Sequence, residues 1–339
     1  MLPKVKTLRK GVVVYLLLVI LFPLLLADSY YHSVGVIVGL HAIVAIGLGL
    51  VMGLAGQISL GQAGFWGIGA YTSAVLAAKY GVPPVLGVMI GAIVPGIVAF
   101  IVARAIAGLQ GYYLAMATLA FGYIVQIGIA EWESVTGGAN GMISIPPLDI
   151  FGIGSSEVSM YYLVWGVVTL VLLFSLNIMN SRVGRAYRAI HKSEIAATSM
   201  GVDVAQFKLS AFVVSGMFAG LSGALYAHYM GILDPQPFGL HESIKFLTIV
   251  VVGGMTSIWG ALIGAVVINA IGEILIVLGE HLPWLKGDID TIVFGAILVA
   301  IIMFMPEGLV PRVRSWLMKS KGDTRSEIRS EKVEMETVS

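Results

Sequence analysis

Long apolar runs separated by short polar segments fill most of this chain, and they restrict it to a fold that lies within a membrane. A helix needs about 20 apolar residues to cross a bilayer. Of the 339 residues, 58% are hydrophobic and 12% are charged. The predicted crossings are residues 11–27, 34–54, 63–78, 85–103, 112–130, 158–179, 209–230, 246–253, 259–278 and 289–305. Because the third and eighth runs are short, we expect an all-α polytopic membrane protein with about 8–10 transmembrane helices, some of them broken.

The positive charges indicate how this bundle is oriented. With residues 1–10 in the cytoplasm, 17 of the 20 Lys and Arg residues fall in cytoplasmic segments, whereas Lys79, Lys245 and Lys286 fall outside. Cytoplasmic loops carry an excess of Lys and Arg, so both termini are predicted to be cytoplasmic. The outer segments are acidic and are expected to include Glu242.

The segments between and after the crossings complete the predicted organisation. Residues 11–318 are expected to form a single permease domain. Within it, the Gly-, Asn- and Pro-containing residues 131–157 are predicted to be an external loop. Residues 180–208 are predicted to be a cytoplasmic coupling loop. Residues 319–339 alternate charges with few apolar residues, and we expect a disordered cytoplasmic tail.

Composition and motifs exclude several function classes. The chain has no cysteine, which removes disulfides and thiolate chemistry. A formal net charge of +1 gives no electrostatic reason to expect nucleic acid as a partner. No G-x-x-x-x-G-K-[ST] phosphate loop, nucleophile–base pair or metal-ligand cluster occurs in the sequence. If ATP drives this protein, another chain must hydrolyse it.

The polar insert at residues 181–208 is much longer than a turn between two helices requires. Ser193 is a favourable N-cap, Glu194 is an anion in the first turn, and Gly201 is a typical stop. They predict a helix over residues 194–200 that is too short to be stable alone and must be docked. Ala196 and Ala197 would allow a partner to approach closely. We interpret the insert as the element that receives force from a cytoplasmic partner.

The same insert contains further signals. Asp203 and Gln206 form a variant capping box that restarts a helix leading into the membrane. Arg185 and Arg188 supply part of its cationic character and join the predicted coupling residues. The alternative is an amphipathic elbow that lies on the lipid surface.

A glycine- and amide-rich segment, residues 53–71, interrupts the apolar pattern. Irregular backbone survives at membrane depth only where it packs inside protein or lines a cavity. We therefore predict a broken helix pair along a substrate path, the alternative being a tight turn that serves packing. A second break at residues 253–264 strengthens the transporter interpretation. The predicted path residues in the first break are Gly53, Gly56, Gln57, Ser59, Gly61 and Gln62.

Few ionisable residues lie within the crossings. Glu273, with Asn269 one turn before it, is a candidate for the substrate path. A structural hydrogen bond to a neighbouring helix is an equally open interpretation of this carboxyl group. His41 and His228 are expected to be structural residues with satisfied hydrogen bonds rather than proton carriers.

Two motifs resemble a known family. The segment GLAGQISLGQAGFWGIGAY and the segment SRVGRAYRAIHKSEIAATSMGVDVAQFK, with the late VVVGGMTSIWGALIGA and MPEGLVPR, are similar to branched-chain amino acid ABC transporter permeases of the M type. The resemblance extends from about residue 40 to residue 312. It implies that Glu194, Ala196, Ala197 and Gly201 belong to the segment that contacts the ATPase. The residues I-H-K-S-E replace the more usual I-R-E-x-E, so the charge of this contact differs.

The resemblance also implies partners and a location. These are a paralogous H-type permease, two cytoplasmic ABC ATPases that hold ATP and Mg²⁺, and an external amino-acid-binding protein, at the inner membrane of a prokaryote. No cofactor is expected on this chain. A related urea or amide importer and an ion-coupled secondary transporter remain alternatives, as does a homodimeric rather than heterodimeric permease pair.

Overall fold

The computed structural model describes residues 5–25, 28–106, 108–149 and 156–281, together with positions 293, 295–297, 299–300 and 303. Regular structure in these parts of the chain is helical, apart from an isolated antiparallel bridge between Met142 and Leu233. The prediction of an all-α polytopic fold is confirmed. The tail at residues 319–339 and most of the last predicted crossing lie outside the described residues.

The α-helices of the described ranges are α1 Val5–Leu25, α2 Ser29–Gly49, α3 Gln62–Tyr80, α4 Pro84–Ala105, α5 Tyr112–Glu131, α6 Glu133–Thr136, α7 Glu157–Asn180, α8 Arg182–Lys192, α9 Glu194–Ser199, α10 Val204–Met230, α11 Leu240–Gly253 and α12 Ile258–His281. A π-helical turn, Leu50–Leu54, extends α2. Short 3₁₀ helices cover Gly138–Asn140 and Gln236–Phe238.

Six of these helices are long and apolar enough to cross a membrane, namely α2 with its π turn, α4, α5, α7, α10 and α12. The apolar part of α1 is shorter, covering Gly11–Leu25. Helix α3 has 19 residues and α11 has 14, in agreement with the two short crossings expected from the sequence. Each of the first nine predicted crossings therefore coincides with a helix, while the total number of crossings stays a prediction.

The loops that meet at each end distinguish the two ends of the bundle. At one end, the side chain of Gln110, between α4 and α5, donates a hydrogen bond of 3.2 Å to Glu194 at the start of α9. At the other end, Met142 and Leu233 exchange two backbone hydrogen bonds of 2.8 Å. The segments predicted to be cytoplasmic thus lie together, opposite the segments predicted to be external.

Small residues allow α10 to pack closely against α3 and α4 in the core. A Cβ atom on Gly223 would overlap the carbonyl oxygen of Trp66, and one on Gly220 would overlap the ring of Pro95. Close backbone approach of this kind is how membrane helices gain packing contacts without a hydrophobic driving force. These small residues therefore serve the packing of α10.

Helix α11 begins inside the bundle rather than at its surface. Phe238, in the 3₁₀ helix before it, is fully buried with its ring centroid 4.9 Å from that of Trp66. The first turn of α11 then brings Glu242 to 3.3 Å from His41, which lies near the middle of α2. Glu242 was expected in an external segment; in the structure the chain after α10 turns back into the bundle and leaves this residue 9% exposed.

Candidate translocation and coupling sites

The first break, residues 55–61 between α2 and α3, is an irregular segment that is largely buried, with Gly56 and Ile58 exposed. Gly56 reverses the chain with a φ of +67°, a conformation that favours glycine. The backbone N–H of Gln57 donates to the Val51 carbonyl at 3.0 Å, and that of Leu60 donates to the Thr118 hydroxyl at 3.0 Å. Such partners are what non-helical backbone requires at membrane depth. The predicted broken helix pair is confirmed as a structural feature.

The polar side chains of this break are enclosed by protein. Gln57 is 7% exposed, Ser59 is 0% and Gln62 is 1%. Gln62 donates a hydrogen bond of 2.8 Å to the Ser215 hydroxyl. Within the described structure, however, Gln57 Oε1, Ser59 Oγ and Gln62 Oε1 have no hydrogen-bond partner. Buried polar atoms without partners are costly, so these groups would gain from water or substrate. Their place along a path stays a prediction.

The two breaks lie against each other. A Cβ atom on Gly53, at the end of α2, would overlap the carbonyl oxygen of Met255 in the turn between α11 and α12. Gly61 fits in the same tight manner against α5, where a Cβ atom would lie 2.5 Å from the Thr118 carbonyl oxygen. Both glycines of the predicted path therefore allow backbone to approach backbone, Gly53 at the second break and Gly61 at α5.

The two candidates on α12 face different partners. The side chain of Asn269 donates to the Ala265 carbonyl at 2.7 Å, and its Oδ1 atom lies 2.8 Å from His41 Nδ1. Glu273 is half-buried and accepts a hydrogen bond from the Tyr30 hydroxyl on α2. The structural interpretation of Glu273, a carboxyl bonded to a neighbouring helix, describes this geometry. His41 and His228 are both buried and hydrogen-bonded, as expected.

The predicted coupling segment forms the helix pair α8–α9. Ser193 caps α9, because its hydroxyl accepts from the backbone N–H of Ala196 at 3.3 Å. At the other end Gly201 has a φ of +79°, and the Val202 N–H donates to the Ala197 carbonyl at 3.1 Å. This is a Schellman motif. The predicted short helix is confirmed, ending at Ser199 rather than at residue 200.

A second cap restarts the chain after α9. The Asp203 side chain accepts from the backbone N–H of Gln206 at 3.1 Å, and α10 follows from Val204 to Met230. The N-cap half of the predicted capping box is therefore present.

Glu194 points toward the body of the protein. Its Oε1 atom lies 2.6 Å from Lys208 Nζ on α10, and its Oε2 atom accepts from Gln110. The side chain of Lys208 is 10% exposed, whereas that of Glu194 is 38% exposed. Ala197 is also turned inward and is 1% exposed. Glu194 and Ala197 thus dock α9 on the bundle, and their predicted role in contacting a partner stays a prediction.

The outward face of α8–α9 carries side chains that the sequence analysis missed. Ile195 is 83% exposed and Met200 is 81% exposed, with the exposed Ala196 between them. Both are large apolar residues in the short helix predicted over residues 194–200, which was the available signal. Arg185 is exposed, but Arg188 is half-buried and donates at 2.9 Å to the Met179 carbonyl, an unpaired group at the end of α7.

Helix α8 is fixed to the bundle by its aromatic residue. The Tyr187 hydroxyl lies 2.8 Å from the Ser210 hydroxyl on α10, and the ring meets that of Phe207 edge to face at 5.7 Å. Burial raises the pKa of the Tyr187 hydroxyl above its usual value, so this group stays neutral and hydrogen-bonded under ordinary conditions.

Comparison with known proteins connects this architecture to a family. Residues 31–302 match the family described as branched-chain amino acid transport system / permease component. The chain belongs to this permease family. It is 32% identical to the high-affinity branched-chain amino acid transport system permease protein LivM of Salmonella typhimurium over 312 residues, which are 85% of this chain and 72% of that protein.

Similarity extends to a second type of permease. The chain is 26% identical to the permease protein LivH of Escherichia coli over 293 residues, which are 80% of this chain and 91% of that protein. It is 25% identical to a probable LivM permease of Methanocaldococcus jannaschii over 255 residues, 72% of this chain and 69% of that protein. No solved structure matches the chain. The resemblance noted in the sequence is confirmed.

In this permease the helix pair α8–α9 touches the first break directly. A Cβ atom on Gly56 would lie 3.1 Å from the Nδ1 atom of His191, near the end of α8. A small cavity beside this contact is lined by Gln57, Lys208 and Phe212, among others. The ion pair that docks α9, the end of α8 and the irregular backbone of the break therefore form one contiguous set of contacts.

Proposed function

We propose that this chain is the M-type permease subunit of an ATP-driven importer that carries leucine, isoleucine and valine across the inner membrane of a prokaryote. Family membership and the 32% identity to the LivM permeases of two enteric bacteria support this proposal. ATP and Mg²⁺ would be held by separate ATPase subunits, because the sequence contains no phosphate loop.

The proposed assembly contains four kinds of partner. The similarity of this chain to both LivM and LivH proteins indicates paralogous permeases, which supports a pair made of this chain and an H-type subunit. Two cytoplasmic ABC ATPases would drive the pair, and an external binding protein would deliver the amino acid. The lipid bilayer surrounds the apolar helices.

The docked helix pair α8–α9 is the observation that carries the proposed coupling. It is fixed to the bundle through Glu194 and Lys208, it touches the first break through His191, and it presents Ile195 and Met200 outward. Exposed apolar side chains of this size are buried favourably by a partner protein. An ATPase that holds this face could therefore displace α8–α9 and, through Gly56, the break.

The proposed orientation places α8–α9 and both termini in the cytoplasm. This orientation is supported by the excess of Lys and Arg in the segments assigned to the cytoplasm, which hold 17 of the 20 cationic residues. Reporter fusions test it directly: a fusion after residue 188 is expected to be cytoplasmic, and one within residues 139–147 external. A reporter after residue 188 that is active only outside the cytoplasm would reverse the orientation.

Reconstitution of the complete importer tests the function. Ile195→Asp is expected to abolish retention of the ATPase on the affinity-purified permease and to lower ATP-dependent leucine uptake at least tenfold, because an aspartate would be buried unpaired in the contact. Ile143→Asp is the matched control, since Ile143 is 67% exposed at the opposite end of the bundle. This control is expected to retain the ATPase and to keep normal leucine uptake.

The outcome also separates the alternatives. Leucine uptake that persists without ATP and follows an ion gradient would identify a secondary transporter. Transport of urea in preference to leucine by the complete importer would identify the urea or amide class. Equal ATPase retention by Ile195→Asp and Ile143→Asp would refute the proposed contact face.

A further inference from the structure

The start of α11 carries a buried ion pair that none of the features above explains. Glu242 Oε1 lies 3.4 Å from Lys245 Nζ, one turn along the helix, and 3.3 Å from His41 Nε2 on α2. The side chains of these residues are 11%, 18% and 4% exposed, respectively. Ionisable residues at this depth are expensive and usually functional. The pair lies at the middle of the bundle, where α2, α3, α11 and α12 meet.

The hydrogen bonds around this pair are incomplete. Asn269 uses its amide Nδ2 to donate to the Ala265 carbonyl, so its Oδ1 accepts from His41 Nδ1 and the other ring nitrogen of His41 faces Glu242. Even so, Glu242 Oε1 receives no hydrogen bond of normal geometry from any of the described residues. A buried ion pair gains stability only when its remaining hydrogen-bonding capacity is also satisfied. The carboxylate therefore retains unused capacity for a cationic donor.

Two helix N-termini converge next to this carboxylate. The backbone N–H of Ala63, at the start of α3, donates to the Ser243 hydroxyl in the first turn of α11 at 3.2 Å. Neighbouring Gln62, which is 1% exposed, holds its Oε1 atom without a partner in the described structure. The N-termini of helices broken within a membrane favour anionic groups of a substrate. The helix N-termini, which favour an anionic group, thus lie beside the Glu242 carboxylate, which favours a cationic group.

Aromatic rings form an apolar wall beside the charges. The His41 ring lies 5.4 Å from the Phe246 ring and 6.3 Å from the Trp66 ring. The Trp66 ring in turn lies 4.6 Å from that of Tyr226 and 4.9 Å from that of Phe238. These rings pack against one another, and all but that of Tyr226 are buried. An apolar lining of this kind suits a compact branched aliphatic side chain, and ring faces also attract a cation.

We propose that Glu242 and Lys245 form a recognition site in the permease for a zwitterionic α-amino acid during its passage. The carboxylate of Glu242 binds the α-ammonium group, and Lys245 with the N-terminus of α11 binds the α-carboxylate. The aromatic wall takes the side chain. Both charged groups of the substrate are attached to its α-carbon. Binding therefore replaces the Glu242–Lys245 ion pair with two ion pairs to the substrate and leaves no buried charge uncompensated. This inference rests on the proposed function and explains how the permease would recognise an α-amino acid.

The test measures leucine binding to the complete importer in lipid nanodiscs without the external binding protein. Unlabelled leucinamide, which keeps the ammonium group, and 4-methylpentanoate, which keeps the carboxylate, compete against radiolabelled leucine. We expect Glu242→Gln to weaken competition by leucinamide at least tenfold while leaving that by 4-methylpentanoate within about twofold. We expect Lys245→Gln to give the opposite pattern. Glu157→Gln and Lys79→Gln are matched controls at other sites and are expected to behave as the unmodified protein.

The ligand pattern separates recognition from a merely structural brace. Equal weakening of both competitors by each variant would show that the ion pair only stabilises the bundle, and would overturn the proposal. So would an unmodified importer that transports leucine but binds none without its binding protein. Unchanged competition in both variants would overturn it as well. Failure of the unmodified complex to transport leucine with ATP and the binding protein present would instead refute the proposed function itself.

Discussion

Replacing Glu194 with alanine is expected to release α9 from the body of the permease without unfolding the bundle. The substitution removes the carboxylate that lies 2.6 Å from the ammonium group of Lys208, a side chain that is only 10% exposed. Gln110 loses its hydrogen bond to the same carboxylate. Helix α9 has six residues and cannot persist undocked. The lost interaction energy therefore shifts the equilibrium between docked and undocked α9.

The magnitude follows from the burial of the two partners. Breaking a fully buried ion pair costs about 3–5 kcal/mol, whereas an exposed pair contributes about 0–1 kcal/mol. Since Lys208 is buried and Glu194 is 38% exposed at its side chain, we expect a cost of about 1–3 kcal/mol, between these limits. At 1.4 kcal/mol for each factor of ten, the undocked population should rise by roughly 5- to 150-fold.

Thiol labelling measures this population, because the chain contains no cysteine of its own. Ala197 is 1% exposed beneath the docked helix, so an Ala197→Cys reporter should react only when α9 opens. Adding Glu194→Ala is expected to raise its labelling rate about 5- to 150-fold. Ala196→Cys is the matched control, since Ala196 is already exposed and its rate should not change.

The companion substitution Lys208→Met provides the internal test of the electrostatic reasoning. It removes the buried charge together with the ion pair, so Lys208→Met should raise labelling of the reporter less than Glu194→Ala does. The double variant should label more slowly than Glu194→Ala alone. Unchanged labelling in Glu194→Ala, or equal labelling in both single variants, would refute the conclusion that this ion pair docks α9.

Three further predictions concern the glycines and the break. Gly201→Val should destabilise the docked α9 by about 1–2 kcal/mol, because residue 201 has a φ of +79°. It should therefore speed labelling of the Ala197→Cys reporter more than Gly201→Asn does. Equal labelling rates in the two variants would contradict the requirement for a left-handed residue. Gly53→Ala should lower leucine uptake at least tenfold, because the added Cβ would overlap the Met255 carbonyl. Gly128→Ala is the control, since Gly128 has open space around it, and should leave uptake unchanged. Equal uptake by the two variants would disprove contact between the breaks. Ser59→Cys should be protected from polar thiol reagents at rest and react during ATP turnover, and protection in every state would favour packing alone.

The sequence was sufficient for features whose physical cause is local. The cap at Ser193, the reversal at Gly201 and the restart at Asp203 each depend on hydrogen bonds between residues three to five positions apart. Apolar runs likewise predicted the long helices, because bilayer thickness sets their length. The break at residues 55–61 was visible because polar and glycine residues within an apolar stretch require a structural reason.

Which way a side chain faces within these features could not be read from the sequence. Glu194, Ala196 and Ala197 share one short motif, yet Glu194 and Ala197 turn toward the bundle while Ala196 and Ile195 face outward. That division depends on the position of Lys208, one helix later, and on the turn that carries Gln110. A motif identifies the helix, but tertiary contacts decide which of its residues remain available to a partner.

The depth of Glu242 illustrates the same limit over a longer distance. Hydropathy places this residue at the edge of an apolar run, and a carboxylate there is ordinarily solvated. In the structure, Phe238 packs beneath Trp66 and draws the chain after α10 back into the bundle, so that Glu242 meets His41 on α2. The two residues are about 200 positions apart in the chain, and Asn269 lies further still. Nothing in the three separate segments indicates that these residues meet; they form one polar cluster within the core because three helices bring them to one point.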